Sequence, residues 1–413
     1  MNIQIQPRLL SGDVTPPSSK SVSHRLLIAA ALARGASTID GVSSSEDIEA
    51  TLRCLSALGA RYDVSGGTFR VTGIGSQKSA QDSSTAPQGV PNLFDCGESG
   101  STLRFMVPVA LALRGGGAFT GRGRLMERPQ DPYWTLFDQK CIAHNLSDGV
   151  LTVRGRLTPG LYQLPGDVSS QFFTGLLFAL SCLDGESVLE SVTPLQSAPY
   201  VSMTIDALSR AGVHIDADAQ SQRFIVRGQP YRAFHVTAEG DWSQGAFWYV
   251  ARFLGNPVTV QGLNPASAQG DKVIVDLLQR FRRQGECVVS LADCPDLLPP
   301  LAAASAVRDG VTRFVDAARL RMKESDRLST VAALLQALGV RAQEAPDSLT
   351  VWGGTLRGGA VNGANDHRIV MAAAVAASVC REAVTISDAG AVRKSYPAFW
   401  EDYRRLGGVF DVL

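Results

Sequence analysis

Hydrophobic and polar positions along this chain repeat as a block. A short polar start leads into an apolar run too broad for one face of a surface helix, followed by a β-branched strand, an amphipathic helix and a hairpin. The block is first met at Ser18-Ser-Lys-Ser-Val-Ser-His-Arg25, which runs into the apolar stretch 26–33. Serines ahead of such a run satisfy the open backbone N–H groups of a first helical turn, so a helix is predicted from Ser18. A strand follows from Gly35, then an acidic-started helix from Ser45 that Gly59 stops, then strands 61–64 and 68–71 around Ser65-Gly66-Gly67. Apolar runs with polar starts recur at Glu98, Ser169, Asp241, Asp296 and Asp366, and second helices end alike at Gly59, Gly212, Gly339 and Gly407. Six copies of a βαβαββ-type unit are therefore predicted, with first helices that only neighbouring elements can bury.

The 413 residues exceed one typical core, which points to two domains of three units. The copies are imperfect. Residues 130–140 form a poor helix without the Leu-Gly ending, and 283–293 is too short for the fourth unit's hairpin, so a strand is missing there. Residues 75–89 are rich in Ser, Gln and Gly and read as a loop. The sixth unit stops one strand short, and the orphan strand 3–8 is placed to complete it. The expected α/β domains are thus residues 1–13 with 230–413, discontinuous, and residues 14–229, with crossings near 12–15 and 228–232.

Charge is balanced at 39 basic and 39 acidic residues, which gives no argument for nucleic acid or a membrane surface as partner. The seven cysteines form no CxxC pair and the five histidines have no metal-binding spacing, so no metal is expected. The N-terminus lacks the apolar core of a signal peptide, and the apolar blocks carry too many polar breaks to span a bilayer. A cytoplasmic protein, taken as a monomer, is the expectation.

Lys20 and Arg25 lie in a first helical turn, where the macrodipole already places positive charge. An anion is the natural complement, a phosphate or a carboxylate. The other helix and loop starts add Ser21, Gly100, Arg104, Arg124, Arg128, Ser169, Ser170, Gln171, Ser197, Asp296, Arg319, Lys323, Glu324, Arg327, Asp366, His367, Arg368 and Lys394. Each has a plain local explanation as a cap or a surface i,i+3/i+4 pair. Taken together, cations recur at the end of the helix that disfavours them, which implies substrates carrying several phosphates or carboxylates. No P-loop and no strand-linked GxGxxG accompany them, which argues against nucleotide hydrolysis.

Ser19-Lys-Ser-Val-Ser-His-Arg25, Asp95-Cys-Gly-Glu-Ser-Gly-Ser-Thr-Leu-Arg104, Arg124 with Glu127-Arg-Pro129, Ser169-Ser-Gln171, Arg321-Met-Lys-Glu-Ser-Asp-Arg327, Asn365-Asp-His-Arg368 and Lys394 together resemble the 5-enolpyruvylshikimate-3-phosphate synthase family over nearly the whole chain. The resemblance implies a two-domain inverse α/β, barrel-like fold of six repeated units with the active site in the interdomain cleft. It implies transfer of the enolpyruvyl group of phosphoenolpyruvate to the 5-hydroxyl of shikimate 3-phosphate, without cofactor or metal. By matching positions it assigns shikimate 3-phosphate to Lys20, Ser21, Arg25, Ser169, Ser170, Gln171, Ser197, Asp296 and Lys323. Phosphoenolpyruvate falls to Lys20, Gly100, Arg124, Gln171, Arg327, Arg368 and Lys394, and proton transfer to Asp296, Glu324 and Lys20. Departures from the family pattern are the weak helix at 130–140, the abbreviated region near Cys287 and Asp293, and Arg319 where some members have Asn. The nearest rival is the sister enzyme that uses UDP-N-acetylglucosamine. It carries a loop cysteine that Gly121-Arg-Gly-Arg-Leu-Met-Glu-Arg-Pro129 lacks. A noncatalytic anion-binding repeat module would have no need of Glu324 and Asp296 among the cations.

Overall fold

The apolar runs become helices Lys20–Leu32, Gly100–Arg114, Ser170–Leu180, Trp242–Phe253, Leu298–Ser305 and His367–Ala377 in a computed structural model describing residues 1–75, 92–218 and 222–413. The loop expected at 75–89 lies, from residue 76 on, outside the described residues. Two of these helices are enclosed on every side, since all of His367–Ala377 and all of Leu298–Ser305 are buried, and the other four are buried along most of their length. The first begins at Lys20 rather than Ser18, because Ser18 bridges to Gly240 and the Ser19 N–H donates to the Glu239 carbonyl at 2.7 Å.

Among the described residues, five of the six sheets have four strands and one topology. In the third unit, for example, Leu161–Leu164 runs parallel to Glu186–Ser191, and Arg223–Arg227 and Ile215–Asp218 follow antiparallel. Two sheets are completed from far along the chain. Ile3–Gln6 lies between Val384–Ile386 and Val409–Val412, as the unfinished sixth unit required, and His235–Thr237 runs parallel to Arg34–Asp40. The fourth sheet, among the described residues, is Gly12–Val14 beside Val258–Val260. Among the described residues it lacks both hairpin strands rather than one, and Cys287–Ser290 is the first strand of the fifth sheet. Where the hairpin is missing, buried Arg308 donates to the carbonyls of Phe281 (3.0 Å), Arg283 (2.8 Å) and Gly285 (3.3 Å), placing a cation at the negative end of helix Ile274–Phe281.

The chain divides into a terminal unit, Met1–Ser19 with Glu239–Leu413, and a central unit, Lys20–Ala238. The boundaries expected after residues 13 and 229 thus lie after 19 and 238. The reason is pairing: Gly12–Val14 belongs to the terminal unit's fourth sheet, and His235–Thr237 to the central unit's first. In the terminal unit the three buried helices pack against one another, and in the central unit Gly100–Arg114 packs on Ser170–Leu180.

The segment read as a poor helix is the helix Asp131–Gln139. It ends at Cys141 with φ 54°, the left-handed position that glycine takes after other second helices. Its purpose is visible in Tyr133, whose hydroxyl donates to the Arg104 carbonyl at 2.6 Å. Pro108, four residues on in the same helix as Arg104, has no N–H to offer that carbonyl. Close approach of the neighbouring helix requires Gly175, where a Cβ would sit 2.4 Å from the same carbonyl. Tyr133→Phe strands this buried acceptor and is expected to cost about 1–3 kcal/mol of stability. Urea unfolding with an unchanged slope checks this; a loss below roughly 0.5 kcal/mol would show that the carbonyl does not depend on Tyr133.

Candidate active site

In the central unit, the starts of the buried helices gather polar side chains. Lys20 Nζ pairs with Asp47 Oδ2 at 2.6 Å, the lysine side chain 15% exposed. Asp47 comes from the first turn of helix Glu46–Ala57, which Ser45 caps. Arg25, 2% exposed, donates to Thr204 (2.8 Å), Thr174 (3.2 Å) and the Ser21 carbonyl (2.7 Å), with Phe105 and Tyr200 under its guanidinium. No carboxylate pairs with it among the described residues, and burial pulls its pKa down to about 10. Beside it, His24 bonds Thr51 (2.7 Å), Thr51 bonds Thr102 (2.7 Å), and Thr102 donates to Ser99, the cap of helix Gly100–Arg114. Burial first, then Lys20 and Arg25, hold the His24 imidazole well below its usual range, so it is neutral.

Gln171 is held from both ends of its amide. Its Oε1 accepts from Arg104 Nη1 at 2.9 Å and its Nε2 donates to Ser101 at 2.9 Å. Arg104 is itself fixed by the Pro129 carbonyl (2.7 Å) and the Phe172 ring. Ser169 caps helix Ser170–Leu180, and Ser170 is buried in its first turn. A Cβ at Gly100 would lie 2.4 Å from Arg128 Nη1, so glycine there lets the guanidinium lie against the helix start. Ser197 is buried with φ 58°, a conformation disfavoured for serine that the surrounding fold must enforce. Arg124 stands apart. Its side chain is 53% exposed and reaches Glu127 at 3.6 Å, so the structure does not bring it to the others.

In the terminal unit, Arg327 is the hub. Only 1% exposed, its guanidinium meets Asp366 at 2.8 Å, Asp296 at 2.8 Å and Glu324 at 2.6 Å. The other Asp296 oxygen meets Arg368 at 2.9 Å. Asp296 does not cap a helix as a polar start would suggest. It sits in the turn Pro295–Leu297, and Leu297 precedes helix Leu298–Ser305. Burial opposes its charge, but Arg368, then Lys323 and Arg327, hold its carboxyl well below the usual carboxylate range, against Glu324. Asp366 does cap, accepting from the Arg368 N–H at 3.0 Å, and also receives Ser325 at 3.0 Å. Lys323 is pulled down to about 8, chiefly by burial, with Arg327 and Arg319 adding to it and Asp296 opposing. Lys394, buried, donates to the Asn365 carbonyl at 2.7 Å, and Arg319 donates to the carbonyls of Leu291 and Ala292.

The structure thus brings Asp296, Lys323, Glu324, Arg327 and Arg368 together in one unit, and Lys20, Arg25 and Gln171 into built positions in the other. Sequence reasoning missed Asp47, the Thr174–Thr204 pair that seats Arg25, and Asp366 as the holder of Arg327. Only Asp366 had a local signal, as a cap. Among the described residues no group of three or more His, Cys, Asp or Glu side chains is placed to hold a metal ion, and no helix is long and apolar enough to cross a membrane.

The family model described as EPSP synthase (3-phosphoshikimate 1-carboxyvinyltransferase) matches residues 5–403. The chain is 42% identical to a 3-phosphoshikimate 1-carboxyvinyltransferase of Clostridium kluyveri, covering 99% of the chain and 98% of the relative. It is 40% identical to that of Clostridium acetobutylicum, covering 98% and 97%. Among solved structures, it resembles an EPSP synthase from Acinetobacter baumannii with TM-score 0.79 at 22% identity, covering 99% of both chains. It also resembles the enolpyruvyl transferase NikO from Streptomyces tendae, with TM-score 0.76 at 19% identity over 99% and 98% of the two chains; at these identities the likeness concerns the fold.

Proposed function

This chain belongs to the EPSP synthase family, and we propose that it transfers the enolpyruvyl group of phosphoenolpyruvate to the 5-hydroxyl of shikimate 3-phosphate and releases phosphate. The observation that carries the residue roles is the pair of guanidiniums, Arg327 and Arg368, aimed at one carboxylate with Glu324 beside them. In this arrangement the carboxylate is that of Asp296. That of phosphoenolpyruvate competes for the same donors and, on binding, loosens Asp296 from them. Asp296 is then suited to take the proton of the attacking hydroxyl as the C–O bond forms at C2. Glu324 and Lys20 are the candidates for delivering a proton to the methylene carbon. The intermediate collapses by losing that carbon's proton and the phosphate, whose developing charge Lys20, Gln171, Lys394 and the N–H at Gly100 stabilise.

Shikimate 3-phosphate falls to Arg25, Ser21, Ser169, Ser170, Gln171, Ser197 and Lys323, with Lys20 shared. A buried guanidinium without a carboxylate partner is costly until an anion joins it. Arg25→Met is therefore expected to leave the free protein at least as heat-stable as wild type, while weakening shikimate 3-phosphate binding on the order of 10²-fold. Calorimetric titration with scanning calorimetry checks both. Undiminished affinity would remove Arg25 from the phosphate site.

The reaction itself is tested by phosphate release. Turnover is expected only when phosphoenolpyruvate and shikimate 3-phosphate are both present. Release driven by UDP-N-acetylglucosamine instead would assign the sister activity, and no release with either acceptor would leave an anion-binding module.

A further inference from the structure

One buried carboxylate near Asp296 is left unused by these roles. Asp271 lies in the turn Gly270–Val273 ahead of helix Ile274–Phe281 and is 3% exposed. Its Oδ2 accepts from Ser243 Oγ, in the first turn of helix Trp242–Phe253, while its Oδ1 makes no hydrogen bond. That helix packs against both the Asp271 turn and the turn Pro295–Leu297 that carries Asp296. The charges that act on Asp271 are those of Asp296, Arg368 and Asp241, and Asp271 acts in turn on the thiol of Cys294. Burial first, then the Asp296 charge, push the Asp271 carboxyl up to about 7, with Arg368 and the Ser243 bond opposing and Asp241 adding to the push. Such a group changes its charge within the working range of an enzyme.

Asp296, ringed by Arg368, Lys323 and Arg327, is a weak base. We propose that Asp271 is a positioning residue for enolpyruvyl transfer: its carboxylate, seated by Ser243 near the Asp296–Arg368 pair, offsets the cations around Asp296 and makes that group basic enough to accept the hydroxyl proton. The inference rests on the proposed function. Asp271 exchanges no proton with substrate. The hydroxyl proton passes to Asp296 as the C–O bond forms, and the repulsion between the two carboxylates is relieved as it does so, which favours the transition state over the ground state.

The test is kcat at saturating substrates from about pH 5.5 to 9. In wild type kcat is expected to rise as Asp271 ionises near neutrality. Asp271→Asn abolishes that inflection and lowers the alkaline plateau on the order of tenfold, with KM for both substrates nearly unchanged. Ser243→Ala removes a hydrogen bond that favours the ionised form, so it moves the inflection to higher pH. A merely structural role moves neither. On the wild-type protein and Asp296→Asn, the carbon-13 resonance of the Asp271 carboxyl is expected to titrate near neutrality in the first and at lower pH in the second. A wild-type profile in Asp271→Asn, or a carboxyl titration indifferent to Asp296→Asn, overturns the proposal. A wild-type protein with no transferase activity removes the function reading instead, and the carboxyl titration decides the coupling separately.

Discussion

Lys20→Met is expected to lower kcat about 10²–10³-fold, the usual consequence of removing one donor aimed at developing charge. Lys20 stands at the start of a helix whose dipole disfavours it, and its side chain is only 15% exposed with Asp47 at 2.6 Å from the ammonium. From sequence, a first-turn lysine adds little to stability. The ion pair changes that expectation, because the substitution leaves Asp47, itself mostly buried, without this partner, at a cost of about 1–2 kcal/mol. Stability and turnover can therefore be separated. Adding Asp47→Asn to Lys20→Met should recover the lost stability in thermal unfolding but none of the activity. Near-normal kcat in the folded single variant would make Lys20 an ordinary surface partner of Asp47.

For Glu324→Gln the expected fall in kcat is about 10²–10⁴-fold, the range for removing a proton-transfer group. The structure gives Glu324 a competing explanation, since its carboxylate pairs with Arg327 at 2.6 Å three residues along the chain. Arg327 keeps Asp366 and Asp296 when that pair is neutralised, and glutamine retains an acceptor oxygen. Stability should therefore change by no more than about 1 kcal/mol. A catalytic role predicts a large loss of kcat with substrate binding and melting temperature retained. A purely positional role for Arg327 predicts a rise in KM for phosphoenolpyruvate and kcat within a few-fold of wild type.

What could be read along the chain was whatever is written locally. Helices such as His367–Ala377 are apolar on all sides, so burial and repetition followed from pattern alone, and the strand at Ile3–Gln6 found its sheet because the sixth unit was visibly incomplete. Helix ends marked by glycine were legible; the one marked by Cys141 at φ 54° was not, because a non-glycine residue in that conformation leaves no compositional signal. The unit boundaries were misplaced for a related reason. Gly12–Val14 and His235–Thr237 are too short to show an alternation, and their partners lie far away in sequence.

The same division holds at the site. Cations at helix starts were conspicuous because they break a local electrostatic rule, and Lys20, Arg25, Arg327 and Arg368 came from that. The acids that hold them were not conspicuous. Asp47 lies 27 residues from Lys20, Asp366 lies 39 from Arg327, and each looks like an ordinary helix-start carboxylate until the fold supplies its partner. Tyr133 was legible in principle, because Pro108 inside a buried helix demands a donor for the Arg104 carbonyl; which residue answers the demand is decided by packing.

The most direct test of enolpyruvyl transfer is a phosphorus and proton nuclear magnetic resonance time course of the purified protein with phosphoenolpyruvate and shikimate 3-phosphate. The expected result is loss of the phosphoenolpyruvate phosphorus signal in step with new inorganic phosphate, together with an equal amount of vinyl protons on a shikimate 3-phosphate ether at the 5-oxygen. Phosphate appearing without that ether, or both substrates persisting unchanged beside a folded protein, would contradict it.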